Sequence, residues 1–142
     1  MKVTLDTNVL VSGTFWTGDS FKILDIIDKG KLKHVSSKEL IDEYYKAISS
    51  DEIIDKIKDK KLTMLKIAQK VISNSQVVEP SAKLNIIKED SDDNKVLECA
   101  KEGKAEYIIT NDNHLLKLKE FEGIRIITPA EFFKLIKNIK IN

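Results

Sequence analysis

Only one cysteine, Cys99, occurs in the 142 residues. Neither an internal disulfide nor a cysteine-rich zinc cluster can be built from it, so a reducing, cytoplasmic setting is expected and Cys99 is expected simply to pack. A dominant charge is missing too: 24 Lys and Arg face 23 Asp and Glu, a formal net charge of +1. That balance argues against a protein that coats nucleic acid nonspecifically, because such binding is driven by many phosphate contacts from basic side chains. A local basic patch is still compatible with it. Lys58, Lys60 and Lys61 form one such cluster, read most simply as the solvated face of a helix. No apolar run approaches the roughly 20 residues of a membrane helix, so no membrane partner is expected. The N-terminus opens on a strand-like segment without a basic lead, a long apolar stretch or a small-residue cleavage site, so export is not expected.

What is present is the balance of an ordinary globular domain, 42% hydrophobic and 33% charged. One domain is expected over residues 1–142, large enough to bury a core without staples. Short β-branched runs alternate with longer segments of helical period, the pattern of strand-helix-strand units. It implies an α/β fold, a three-layer α/β/α sandwich around a parallel sheet of about five strands. The strands are expected at residues 2–6, 33–35, 76–78, 107–110 and 124–127. A loop holding Gly13 and Gly18 is expected after the first strand, then a helix from near Ser20 to Gly30 that turns Phe21, Leu24 and Ile27 inward. Ser36 and Glu39 stand at capping-box spacing ahead of a helix with the stripe Leu40, Tyr44, Ala47 and Ile48. Residues 51–73 read as one broken helix or two. A further helix starts at Ser91 or Asp92, runs to about Glu102 and is closed by Gly103, and a short one carries Leu115 and Leu116. Thr128, Pro129 and Glu131 supply the last helix with a cap, an N1 proline and a capping-box partner.

In a parallel sheet the loops after the strands gather at one edge, where such folds bind ligands. Asp6 ends the first strand, Asp112 follows the fourth, Asp92 and Asp93 start the helix after the third, and Glu43 lies in the helix after the second. Singly, each is a helix cap or a solvated acid. Together they deliver carboxylates to one rim. Asp93 shares a helix face with Val96, Leu97 and Ala100, where an apolar group belongs, whereas Asp92 projects sideways and suits a cap. Glu43 flanks its helix's apolar stripe, and Asp42 faces water. Carboxylates packed together repel and are desolvated unless a cation compensates, and an all-oxygen set suits Mg²⁺ or Mn²⁺ rather than zinc.

These segments resemble those of the PIN domain family of metal-dependent ribonucleases, especially the VapC-like toxins of toxin-antitoxin pairs. The matching runs are Leu5-Asp6-Thr7-Asn8-Val9-Leu10, Glu43-Tyr44, Asp92-Asp93-Asn94 through Leu97-Glu98-Cys99-Ala100, and Ile109-Thr110-Asn111-Asp112 before Leu115-Leu116. The resemblance spans essentially the whole chain. It implies a catalytic, metal-holding quartet of Asp6, Glu43, Asp93 and Asp112, with Asn8 and Thr110 supporting the site through hydrogen bonds. It further implies one or two Mg²⁺ or Mn²⁺ ions, endonucleolytic hydrolysis of RNA, a small antitoxin partner and a homodimer. His114 stands where related toxins often carry another Asp, and Asn111 where they carry Gly. The roles left open for His114 are ligation of Mn²⁺, orientation of a phosphate, or exposure to solvent; His34, beside a strand, reads as structural.

Three other readings compete. A haloacid dehalogenase-type phosphatase also starts with a strand-end Asp but places a second Asp two residues on, where this chain has Asn8. A receiver domain would carry its phosphoaccepting Asp at the end of strand three, which here runs Val78-Glu79-Pro80. An inactive PIN-like module that grips RNA or protein is the third, and the departures at Asn111 and His114 keep it open.

Overall fold

Alternate residues along the short strands point into two different cores, which places helices on both faces of the sheet. The computed structural model describes residues 1–138. In chain order the elements are β1 (Lys2–Leu5), α1 (Thr7–Phe15), α2 (Asp19–Asp28), β2 (Lys33–Ser37), α3 (Lys38–Ile48), α4 (Asp51–Ile57), a 3-10 turn (Lys58–Lys60), α5 (Lys61–Ser73) and β3 (Gln76–Val78). They continue with α6 (Asp93–Gly103), β4 (Tyr107–Ile109), α7 (Asn113–Leu116), β5 (Glu120–Phe121), β6 (Ile124–Ile127) and α8 (Pro129–Lys137). Val3 and Leu5 of β1, Ile109 of β4 and Ile127 of β6 pack into one core with α1, α2, α3 and α8. Val35 of β2, Ile108 of β4 and Ile126 of β6 pack into the other, beneath α6 and α7.

The strand order is β3-β2-β1-β4-β6-β5, and every pairing is parallel except that of β5 with β6. Among the described residues the sheet thus has six strands rather than about five. The extra one is a two-residue antiparallel edge strand, too short to show any period. From β1 the chain winds outward through β2 and β3; from β4 it winds the other way. The C-terminal ends of β1 and β4 therefore flank the point where the winding reverses, and a crevice opens there.

Several local expectations need correction. Residues 7–15 are not a loop but α1, with Gly13 inside it, because a Cβ at Gly13 would come within 2.6 Å of Leu24 Cδ1 and 2.9 Å of Ser20 O where α1 meets α2. Phe21 is half exposed, and the inward stripe of α2 is Ile23, Leu24 and Ile27. The cap of α3 is Ser37, whose Oγ accepts from Leu40 N, since β2 runs two residues further than Val35. Gly103 lies inside α6 and the left-handed residue is Lys104 (φ 57°); a side chain at Gly103 would overlap Val35, so it is close approach to β2 that requires the glycine. The capping box of Thr128 and Glu131 with Pro129 is present as expected. Among the described residues no helix is long and apolar enough to cross a membrane.

Candidate metal centre

Asp6 leaves β1 at the crevice and starts α1 in the same step. Its backbone N donates to Ile109 O of β4, its Oδ1 accepts from Thr7 N (2.8 Å) and its backbone O accepts from Val9 and Leu10. Its second oxygen, Oδ2, accepts from Thr110 Oγ1 at 2.7 Å, and that same hydroxyl accepts from Asp112 N at 2.9 Å. One fully buried threonine thus ties the acid ending β1 to the acid following β4. Asp112 in turn caps α7, its Oδ1 accepting from His114 N at 2.8 Å.

Asp93 enters from the helix above. It is 6% exposed, at the start of α6 on the face shared with Val96, Leu97 and Ala100. Burial first, then the neighbouring carboxylates Asp112 and Asp90, push its pKa up to about 7. Burial also raises Asp6, against the lowering effect of the hydrogen bonds from Thr110 and Thr7. Asp93 Oδ2 is buried without a hydrogen-bond partner among the described residues.

Glu43 stands on another wall of the groove, where its Oε2 accepts from Thr7 Oγ1 at 2.9 Å and partial burial raises its pKa. Asp6, Thr7, Asn8, Glu43, Lys46, Asp90, Asp92, Asp93 and Asp112 all line this groove. Asp92 precedes the first residue of α6 but makes no capping hydrogen bond; its carboxylate pairs instead with Lys95 at 3.1 Å, so the cap expected of it is not made. Asn8 is exposed on the groove wall. His34 lies away from the groove, fully buried in β2.

Among the described residues, one constellation of metal-ligating side chains includes a residue that sequence reasoning missed. Asp90, Asp93, Asp112 and His114 each offer a donor atom, all within 4.8 Å of one another. Asp90 sits on no periodic element; the cue was its place in the acid-rich run Glu89-Asp90-Ser91-Asp92-Asp93. Buried Asn94 holds it near, accepting from Ile86 N and Ile87 N and donating to Ile87 O and Ser91 O, which curls the preceding loop against α6. This donor set fits a divalent cation on two grounds: a buried carboxylate oxygen without a donor needs positive charge beside it, and several carboxylates at these separations repel unless one is supplied.

A parallel α/β sheet whose strand ends gather carboxylates at its switch point defines the general class. The particular family follows from the sequence, because the profile of the PIN domain family matches residues 2–114. The chain belongs to the PIN domain family. Its fold is similar to that of one chain in the crystal structure of VapBC2 from Rickettsia felis bound to a DNA fragment from their promoter, with a TM-score of 0.60 over 90% of this chain and 98% of that one at 17% identity. No curated protein sequence matches the chain.

Proposed function

We propose that this protein is a Mg²⁺- or Mn²⁺-dependent endoribonuclease and the toxin of a VapC-like toxin-antitoxin pair, acting in the cytoplasm as a homodimer. The observation that carries the reading is Asp93 Oδ2, buried and unpartnered among the described residues, at the point where the acids of the switch-point crevice meet. Membership of the PIN domain family, in general a family of nucleases, supports the activity. The likeness in fold to a chain of VapBC2 supports an antitoxin as the protein partner.

Asp6, Asp93 and Asp112 would hold the ion or ions, with Glu43 assisting. A bound divalent cation supplies activation of water and neutralises charge developing on an RNA phosphodiester. Thr110 keeps the Asp6 carboxylate turned into the crevice and sets its distance from Asp112. Glu43, fixed through Oε2 by Thr7, is a carboxylate of raised pKa on the groove wall and is able to accept a proton there. No side chain needs to form a covalent bond to the substrate.

RNA cleavage should require Mg²⁺ or Mn²⁺ and stop with EDTA. In Asp6→Asn and Asp93→Asn it should fall by about a hundredfold or more, the loss expected when a main electrostatic group is removed. Full activity in folded, metal-free Asp93→Asn protein would overturn the proposal.

A further inference from the structure

Resting on the reading that this groove holds a catalytic divalent ion, the side chains around Asp93 specify which ion. His114 Nδ1 lies 3.5 Å from Asp112 Oδ1 and 3.7 Å from Asp93 Oδ2. Both separations exceed the range of N–H···O hydrogen bonds, which ends near about 3.2 Å. They suit two ligands of one ion, since donors each roughly 2.1 Å from a small divalent cation stand up to about 4.2 Å apart. Asp90 completes the group, its exposed side chain offering a carboxylate oxygen within 4.8 Å of the other donors. The second, independent observation is Asp93 itself: 6% exposed, with its unpartnered Oδ2 on the His114 side.

We propose that Asp90, Asp93, Asp112 and His114 form one coordination set of three carboxylates and an imidazole, and that this set selects Mn²⁺ over Mg²⁺. Mg²⁺ favours oxygen ligands in near-ideal octahedral geometry and gives up its waters reluctantly. Imidazole is a better ligand for transition-metal ions, while the three carboxylates keep the site suited to Mn²⁺. The fold fixes the members in pairs. His114 and Asp112 share the first turn of α7 through the 2.8 Å bond from His114 N to Asp112 Oδ1. Asp90 and Asp93 share a turn in which Asp93 N donates to Asp90 O at 3.2 Å. An imidazolium at position 114 that merely offset the carboxylate charge would occupy the same place without touching an ion, and a metal-centred measurement separates the two roles.

The test is calorimetric titration of the full chain with Mn²⁺ and with Mg²⁺, together with pulsed EPR of the Mn²⁺ form, in wild type, His114→Ala and Asp90→Asn. Wild type should bind Mn²⁺ more tightly than Mg²⁺ and show ¹⁴N coupling to the bound ion. His114→Ala should abolish that coupling and weaken Mn²⁺ roughly tenfold or more, with Mg²⁺ changed less than about threefold; Asp90→Asn should weaken Mn²⁺ and keep the nitrogen coupling. Should His114→Ala fail to fold, wild type decides through the nitrogen coupling and its Mn²⁺ and Mg²⁺ affinities together, and Mg²⁺ bound as tightly as Mn²⁺ overturns the selectivity. Mn²⁺ bound without nitrogen coupling overturns this inference and leaves the ribonuclease reading standing, whereas binding of neither ion overturns both.

Discussion

Thr110 makes two hydrogen bonds with one hydroxyl, and each secures a different carboxylate of the crevice. Thr110→Ser keeps both and should keep RNA cleavage near the wild-type rate. Thr110→Val keeps the shape but leaves Asp112 N without its acceptor and Asp6 Oδ2 without its donor, so it should cost about 1–3 kcal/mol of stability and lower cleavage as well. Denaturant unfolding and cleavage rates of the two variants check this; equal behaviour would show that Thr110 does not position the acids. His34 makes a separate, pH-dependent contribution to stability. Ser75 Oγ donates to Val71 O, so His34 Nδ1 donates to Ser75 Oγ and Nε2 is a buried acceptor without a partner among the described residues. Burial lowers its pKa from 6.5 to about 4. Below pH 6.5 the unfolded chain takes up a proton that the folded one resists. The contribution of His34 is therefore complete above pH 6.5 and declines as pH falls toward 4, by roughly 3 kcal/mol in all. Asp93, raised by burial to about 7, works in the opposite direction in both proteins, so the measurement is the difference: in urea unfolding at pH 7, 5 and 4 the stability of His34→Leu should rise relative to wild type as pH falls.

Helix α6 secures the loop that leads into the site. Asn94, Glu98 and Glu102, four residues apart on one face, accept from Ile86 and Ile87, from Leu84 and from Ser81 respectively, so the segment after β3 is fastened by its backbone to the helix that carries Asp93. Asn94→Ala would leave several backbone groups without partners, a loss of about 1–3 kcal/mol. It should also weaken Mn²⁺ binding through a displaced Asp90, read by thermal melting and by calorimetry. This ladder explains why Asp90 was not legible in the sequence: its position depends on side-chain to backbone bonds across a loop, and no periodicity records them. Asp93 was legible because a carboxylate broke an apolar stripe. Helix α1 escaped notice for the opposite reason. Val9, Leu10, Val11 and Thr14 are all buried, so no single stripe stands out, and Gly13, which reads as a loop signal, is there for helix contact. The parallel strands were readable from their β-branched runs, and β5, with two residues, was not.

The reversal of winding between β1 and β4 gathers acids that lie far apart in the chain, and their mutual repulsion helps to raise the pKa of Asp93. An ion bound at hundredfold excess over its Kd adds about 2.7 kcal/mol to the folded state, so Mn²⁺ should raise Tm by roughly 5–10 °C at neutral pH. Asp93→Asn should abolish that rise and leave the metal-free protein at least as stable as wild type, because it removes a buried charge. If the crevice at Asp93 is a divalent-metal centre, anomalous diffraction from an Mn²⁺-soaked crystal should show a strong peak bonded to Asp93 Oδ2 and Asp112, with His114 in contact. An ordered crevice with no peak there at saturating Mn²⁺ would rule that centre out.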